Sequence, residues 1–437
     1  MKKNKKKNKQ FYRTARWDKL DNTANLFPVI ATKTSSNVFR ISVELTQMVQ
    51  PEFLQKALNQ VLPYFDMMRV RMKDGFFWYY FEENPNPAPD VVAEEELPCR
   101  FINPLLNREY LFRVLYYENR ISLEVFHVLT DGNGALLFLK EILYQYLRMV
   151  HPQLAPSTMH LQEETSVNRE DSYVKNYKKP AKSIYKTQKA LVLKGETFPK
   201  GSFGIVHGFL HLPDVKRVAK SYGVTINQYL LGVLAWSVYT DYLGRKNCTQ
   251  PFSICVPVNL RPYFDSITTK NFFATVSATF VADREDYSFE EVLAQVTESL
   301  EQQISKENLE QILAYNVANE KNKLIRMVPL FIKNMVMRSV YKKNAGANSG
   351  CVTNLGAIHI AQPYDAYVER VHVLLSMSPK QNLKAGVISY KDTLAFTFSS
   401  ILRDTGIQKT FFRTLSEAGI AVSIKSNGVY YESMQSL

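Results

Sequence analysis

The clearest pattern of apolar and polar positions along the chain lies between residues 121 and 150. Ile121, Leu123 and Val125 occupy every second position, a period of two that predicts a strand, and His127 ends the same row. From residue 136 to residue 150 the apolar side chains recur at helical spacing, which predicts an amphipathic helix. The polar, glycine-bearing segment between them therefore joins the end of a buried strand to the start of a helix.

This joining segment carries two groups that could take part in chemistry. His127 stands at the end of the strand, and Asp131 follows four residues later, where the chain turns through Gly132. A titratable side chain on a core-facing row, placed where a strand opens into a loop, is a candidate general base. The same pattern is also typical of a hydrogen-bonded core histidine followed by a turn and a helix cap. The residues alone leave both interpretations open.

The remainder of the first half of the chain alternates between strand and helix signals. We expect strands at residues 39–45, 68–72, 76–81 and 110–117, and a helix after Pro51. Lys73, Asp74 and Gly75 separate the second and third of these strands, which indicates a hairpin. This order of elements predicts one mixed domain that ends with the helix after Gly132.

Between residues 151 and about 201 the apolar periodicity disappears. Prolines recur, and lysines are interleaved with tyrosines; these lysines are Lys175, Lys178, Lys179, Lys182 and Lys186. Interleaved basic and aromatic residues can bind nucleic acid. A solvated linker that crosses between two domains explains the composition at least as well, and we favour the linker.

A second domain is predicted to begin near Phe203. We expect strands at residues 205–211, 251–258, 272–281 and 350–356, and a small antiparallel set at 371–377, 385–390 and 394–399. Helices are expected at residues 213–223, 225–242, 289–304, 324–341 and 404–418. Thr225 is placed as the N-cap of the second of these helices.

Size and composition limit the kinds of protein that this chain can be. Its 437 residues, of which 46% are hydrophobic, favour two packed domains of about 200 residues each. Six of the thirteen net positive charges come from lysines in residues 1–10, which we interpret as a disordered basic tail, with possible weak contact to a charged surface. Apolar runs such as residues 229–236 are too short to cross a bilayer, and no secretory pattern follows the lysines. Since the four cysteines form no paired motif, we expect a cytoplasmic protein. We also expect a monomer.

The segment from His127 to Gly132 resembles the HxxxDG motif of the CoA-dependent acyltransferase superfamily. That superfamily includes chloramphenicol acetyltransferase, the condensation domains of peptide synthetases, and alcohol and wax-ester acyltransferases. Residues 259–262, read as Asn-Leu-Arg-Pro, and the following 271–275 resemble a second family segment, and residues 353–356 resemble a family strand end. Residues 63–71 resemble the segment whose arginine pairs with the motif aspartate. The resemblance covers about residues 11–420.

One departure from the family pattern favours particular members. Many condensation domains carry a second histidine directly before the catalytic one, and here that place is taken by Phe126. The resemblance is therefore closest to bacterial stand-alone alcohol acetyltransferases.

The resemblance implies an α/β protein made of α+β two-layer sandwiches. Two chloramphenicol-acetyltransferase-like subdomains would span residues 11–170 and 203–437, joined by a crossover linker at 171–202, with a cleft between them. The implied reaction moves an acyl group from acyl-CoA to a small alcohol or amine by direct attack. Acyl-CoA would be a co-substrate, and no bound cofactor, metal or nucleic acid is implied.

The resemblance also implies roles for individual residues. His127 would be the general base, and Asp131 would pair with Arg69 to hold the loop that begins at Gly132. Asn354 is a candidate for stabilising the oxyanion, against the alternative of a turn residue. Arg261 is a candidate contact for a CoA phosphate, although a structural role is the favoured interpretation.

Other classes of function stay open beside this one. The chain could act on carrier-protein thioesters as condensation domains do, keep the fold as a non-catalytic binding protein, or bind nucleic acid or a membrane surface through its basic segments. His207 and His211 have a spacing that can bind metal, but without a carboxylate or cysteine partner nearby they predict no metal site.

Overall fold

The computed structural model describes residues 17–154, 161, 168, 170–178 and 188–427. The first part contains β1 (Trp17–Lys19), α1 (Phe27–Ile30), β2 (Val38–Leu45), α2 (Pro51–Val61), β3 (Val70–Asp74), β4 (Tyr79–Glu83), β5 (Val92–Ala93), β6 (Phe112–Tyr117), β7 (Arg120–Phe126), α3 (Gly132–Val150) and α4 (Ser172–Lys175). The second part contains β8 (Gly204–His211), α5 (Leu212–Ser221), α6 (Ile226–Ser237), β9 (Phe252–Asn259), α7 (Arg261–Phe264), β10 (Phe273–Phe280), α8 (Phe289–Glu301), α9 (Lys306–Lys321), α10 (Lys323–Arg326), α11 (Leu330–Asn344), β11 (Gly350–Ile358), β12 (Val368–Leu375), β13 (Leu383–Tyr390), β14 (Thr393–Ser400), α12 (Gly406–Glu417) and β15 (Val422–Ser426).

The first lobe is built on a five-stranded sheet in the order β12-β2-β7-β6-β5. β7, which carries the row that ends on His127, lies at its centre, and α3 follows at once, as the sequence predicts. The polar side of β7 is buried as well. There the charge of Glu124 is compensated by ion pairs with Arg40 at 2.7 Å and Arg113 at 2.6 Å. Since both faces of β7 are covered, its register is firmly set and the end of the strand is fixed.

The second lobe is built on a seven-stranded sheet in the order β10-β9-β11-β13-β14-β8-β15. Its core contains side chains from α6, α8 and α12 together with those of the sheet. Thr225 caps α6 as predicted, and its hydroxyl accepts a hydrogen bond from the backbone N–H of Gln228. The hairpin of β13 and β14 is also confirmed.

One strand lies in a different sheet from the one predicted. β12 was expected to pair with β13 and β14, but it pairs with β2 at the edge of the five-stranded sheet, so that part of the prediction is wrong. An alternating pattern shows that a strand has two faces, but it does not specify which sheet the strand joins. The late segment thus completes the first lobe, while the predicted boundaries between subdomains stay a prediction.

The helices between β10 and β11 also differ from the expectation. The predicted helix at 324–341 is two helices, α10 and α11, because Pro329 precedes the first turn of α11. We did not predict α9, although Leu309, Ile312, Leu313 and Val317 are buried at helical spacing and could have revealed it.

The lysine- and tyrosine-bearing segment is only partly described. Lys175 lies 2.9 Å from a carboxylate oxygen of Glu170, and Lys178 lies 2.9 Å from one of Glu310. Lys179, Lys182 and Lys186, like the basic tail, lie outside the described residues. Within the described ranges no helix combines the length and apolar character that a membrane crossing requires.

Asp131 joins the two lobes directly before α3. Its carboxylate caps α3 by accepting from the backbone N–H groups of Asn133 at 3.1 Å and Gly134 at 3.4 Å. It also accepts from the backbone N–H of Phe272 at 3.0 Å and pairs with Arg261 at 2.8 and 3.1 Å. A single carboxylate therefore holds the start of α3 and the segment before β10 together.

The predicted pair between Asp131 and Arg69 is wrong. Arg69 lies next to the first residue of β3, which is in register with Glu83 of β4, and its guanidinium lies 3.3 Å from the Glu83 carboxylate. That pair is about 37% exposed on both sides, whereas the side chains of Arg261 and Asp131 are 12% and 10% exposed. Asp131 pairs with Arg261 and not with Arg69 because the segment that contains Arg261 lies against the start of α3.

Arg261 uses all five of its N–H groups inside the protein. Besides Asp131, it donates to the backbone oxygens of Thr268 at 2.8 Å and Lys270 at 2.7 Å and to the side chain of Asn259 at 3.2 Å. A guanidinium with this set of partners supports the structural role of Arg261, rather than contact with a phosphate.

The two arginines give a direct comparison of stability. We expect Arg261→Ala to lower the free energy of unfolding by roughly 3–5 kcal/mol, because it leaves the Asp131 carboxylate largely buried without its cation. Arg69→Ala should cost less than about 1 kcal/mol, because its pair is screened by solvent. Urea unfolding of both variants measures this difference, and equal losses would contradict the assignment of Arg261 as the partner.

Candidate active site

The imidazole of His127 lies among three aromatic rings just beyond the end of β7. Phe27 of α1 stacks on it with a centroid distance of 4.6 Å and an interplanar angle of 20°. Phe39 of β2 meets its edge at 4.9 Å, and Phe273 of β10 lies at 5.7 Å. These contacts come from both lobes and restrict how the ring can turn, while the side chain keeps part of its surface exposed.

Asn271 determines which ring nitrogen of His127 carries the proton. The side-chain Oδ1 of Asn271 lies 3.0 Å from Nδ1 of His127, and because an amide oxygen can only accept, Nδ1 must donate. The amide Nδ2 of Asn271 donates to the carboxylate of Asp21 at 2.9 Å and to the backbone oxygen of His127 at 3.3 Å. The neutral ring therefore has its lone pair on Nε2, the form that a general base requires.

Burial lowers the pKa of His127 below its usual value of 6.5. The positive charge of Lys384 acts in the same direction, whereas the charge of Asp131 and the hydrogen bond that the ring donates to Asn271 act against it. The imidazole is therefore neutral at pH 7 and able to accept a proton.

Asp21 is a buried carboxylate whose pKa burial raises to about 7, despite the opposing hydrogen bonds from Asn271 and the backbone of Ala24. Because this pKa is above the unfolded-state value, folding favours the protonated form, and the stability that it contributes is lost as the pH rises through about 7. Asp21 is only 3% exposed. A costly buried carboxyl placed one side chain away from a candidate base indicates a functional role.

The turn after His127 requires glycine at position 134 because the second lobe approaches it closely. A Cβ on Gly134 would overlap the Thr130 hydroxyl and the backbone oxygen of Thr269, which cannot move away independently. The same two groups are hydrogen bonded to each other at 2.6 Å. A Cβ on Gly132 would overlap the side chain of Leu355 from β11. The motif glycine therefore allows β11 to pack on the start of α3.

Asn354 lies on β11, one residue before Leu355. Its Oδ1 accepts from the backbone N–H of Gly356 at 2.8 Å, and its Nδ2 lies 3.4 Å from the side chain of Asn227. Gly356 has a positive φ of 75°, and the pairing of β11 with β13 shifts there. These contacts support the interpretation of Asn354 as a turn residue, and its role towards an oxyanion stays a prediction.

Sequence reasoning did not identify the residues that orient His127. Asn271 lay in a segment that resembles the family, but we assigned it no role, and Asp21 had no recognisable motif. Tyr173 also belongs to this surrounding structure, because its hydroxyl accepts from Thr23 at 2.8 Å and donates to the backbone oxygen of Phe273 at 2.7 Å.

The other histidines singled out in the sequence have separate surroundings. Nδ1 of His207 lies 2.9 Å from the Thr397 hydroxyl, and burial lowers its pKa to about 3. Nδ1 of His211 lies 2.9 Å from the carboxylate of Asp214. Among the described residues, no cluster of three or more histidine, cysteine, aspartate or glutamate side chains could hold a metal ion.

Searches by sequence alone found no relatives. No protein-family model matches the chain, and no curated protein matches it.

Solved structures do resemble it. Trichothecene 15-O-acetyltransferase from Fusarium sporotrichioides has a TM-score of 0.59 at 10% identity, covering 92% of this chain and 95% of its own. The first condensation domain of the calcium-dependent antibiotic synthetase has a TM-score of 0.58 at 14% identity, covering 88% and 92%. Polyketide synthase associated protein 5 from Mycobacterium tuberculosis has a TM-score of 0.57 at 12% identity, covering 91% and 96%. At these identities the likeness concerns the fold, and it confirms that this chain has the mixed, two-lobed fold of condensation domains and related acyltransferases.

Proposed function

We propose that this protein is an acyltransferase that moves an acyl group from acyl-CoA to a small alcohol or amine, with His127 as the general base. The observation that carries the proposal is the hydrogen bond between Nδ1 of His127 and Oδ1 of Asn271, because it leaves Nε2 as the basic atom. The lowered pKa of the ring keeps this atom unprotonated at pH 7. The fold supplies independent support, because solved acetyltransferase and condensation-domain structures share it.

The proposed step is a direct transfer. Nε2 of His127 takes the proton of the acceptor hydroxyl or amine as the acceptor atom attacks the thioester carbonyl carbon. The carbon–sulfur bond then breaks, and the departing thiolate receives the proton from the imidazolium, so that the products are an ester or amide and the free thiol. The base and the joint binding of both substrates supply the rate enhancement, and no covalent acyl-enzyme is required.

Acyl-CoA is the donor that we favour over a carrier-protein thioester. The place of the second histidine that many condensation domains carry is taken by Phe126, which favours the stand-alone alcohol acetyltransferases among the relatives that the motif resembles. Arg261 is not part of this proposal, because its donors are engaged within the protein.

His127→Ala should reduce transfer by about 10²–10⁴-fold, the usual loss on removing a general base. Release of free thiol from a panel of acyl-CoA donors with mixed alcohols and amines measures the activity. His151→Ala is a matched control, since this ring also stacks on an aromatic side chain, that of Tyr367 at 4.0 Å. Near-native turnover of His127→Ala would remove the central assignment. If the wild-type protein released thiol only from carrier-protein thioesters and not from acyl-CoA, the assignment of the donor would be wrong, while the assignment of His127 as the base would stand.

Asp21→Asn should lower kcat/KM by roughly 10–100-fold, by analogy with the loss on removing hydrogen-bond partners that orient metal-binding histidines, because Asp21 orients the Asn271 amide that contacts His127. An ionised Asp21 only accepts hydrogen bonds, so it fixes the Asn271 amide; above its pKa of about 7 the wild-type rate should therefore be higher than below it. This inflection should be absent from the variant. Asp214→Asn is the control for charge, because Asp214 pairs instead with Arg217 at 3.3 Å and His211 at 2.9 Å. An unchanged inflection in Asp21→Asn would show that Asp21 is not a positioning residue.

A further inference from the structure

Helices α10 and α11 carry large apolar side chains on the outside of the protein. Counting Phe76 at the tip of the hairpin between β3 and β4 and Met327 directly after α10, six residues expose between 57% and 78% of their surface, and together we call them the apolar surface: Phe76, Leu324, Met327, Phe331, Met335 and Val336. A monomeric soluble protein seldom exposes so many large apolar side chains in one area, and such a concentration marks an interaction site.

Helix α11 carries apolar side chains both on the side that faces the first lobe and on the side that faces solvent. For this reason the sequence pattern alone did not identify the exposed surface. Leu330 and Met337 pack against the core of the first lobe. Phe331 and Met335, which are four residues apart and so share a face of the helix, point away from that core and are 65% and 66% exposed. The exposed side is therefore not required for the fold.

The apolar surface is held as one unit by hydrogen bonds to the tip of the hairpin between β3 and β4. The backbone N–H of Leu330 donates to the backbone oxygen of Phe76 at 2.8 Å. Nζ of Lys333 donates to the backbone oxygen of Phe77 at 2.8 Å and to that of Arg326 at 3.3 Å. Phe76 and the end of α10 are thus fixed beside α11.

The charge beside this surface is mainly positive, although Asp74 lies on the hairpin that carries Phe76 and Glu320 lies just before the basic stretch. Residues 321–344 contain seven basic side chains, and Asp and Glu are absent from this stretch of the sequence: Lys321, Lys323, Arg326, Lys333, Arg338, Lys342 and Lys343. Two copies of such a segment brought face to face would repel each other, so the charge argues against a second copy as the occupant. An anionic lipid surface offers both an apolar interior and a complementary charge.

We propose that the apolar surface docks on a membrane that contains anionic lipid. The exposed side chains of α11 and the hairpin tip would enter the boundary between headgroups and acyl chains, with the neighbouring lysines at the headgroups. Trp78, at the same hairpin tip and 40% exposed, is of the residue type that favours this boundary. The residues of this surface are separate in sequence from the lysine-rich residues 1–10.

The docking surface is connected to the candidate active site. Nε of Arg338 in α11 donates to the backbone oxygen of Val29 in α1 at 2.9 Å. The same short helix carries Phe27, which stacks on the ring of His127. A membrane contact on α11 would therefore act on the element that covers the proposed base.

Sedimentation of the full chain with vesicles tests the proposal. The chain should bind vesicles of phosphatidylcholine mixed with phosphatidylglycerol, and binding should weaken with added salt. The double variant Phe331→Ser, Met335→Ser should lower the partition coefficient by about tenfold or more, because two apolar side chains that would enter the membrane are lost. The matched control is Leu105→Ser, Leu106→Ser, in which both side chains are 85% exposed on a turn elsewhere. Unchanged thermal unfolding verifies that each variant is folded.

Three results would overturn the proposal. Binding that is lost on deleting residues 2–10 but kept in the Phe331→Ser, Met335→Ser variant would assign the contact to the tail. No binding to anionic vesicles by the wild-type chain would remove the lipid as the occupant. A wild-type dimer that this variant converts to a monomer, without vesicle binding, would show that the surface joins two copies of the chain.

Discussion

The hydrogen bonds around Asn271 are the constraint on which the proposed site depends. A neutral histidine can act as a base on only one of its nitrogens, and the amide of Asn271 selects which one by accepting from Nδ1. The amide is in turn oriented by Asp21, which lies 250 residues earlier in the sequence. Because these groups are largely buried, each must have a partner, and a change at one of them alters the others.

The two lobes are held together where this chemistry would occur. Asp131 binds the start of α3 in the first lobe and both Arg261 and Phe272 in the second. Phe272 directly follows Asn271, so the contact that joins the lobes also places the amide beside His127. The close approach explains the need for glycine at position 134, where a side chain would meet the backbone of the other lobe.

Part of this account follows from the sequence and part does not. The strand that ends on His127 and the helix that begins at Gly132 are local patterns, and periodicity predicts them. The partner of Asp131 is a different kind of question, because several arginines have suitable chemistry and only the path of the chain selects Arg261 over Arg69. The sheet that β12 joins and the role of Asp21 were missed for the same reason, since both arise from contacts between distant segments. The apolar surface of α11 lacked a visible pattern because both of its sides are apolar.

The protonation state of His127 is the central claim, and nitrogen NMR of the histidine side chains tests it most directly. The chain would be labelled with ¹⁵N-histidine, and the signals of His127 would be identified by their absence from His127→Ala. At pH 7 we expect a neutral ring with the proton on Nδ1 and an unprotonated Nε2, since Asn271 accepts from Nδ1 and burial lowers the pKa. A ring with the proton on Nε2, or a charged ring with protons on both nitrogens, would contradict the account.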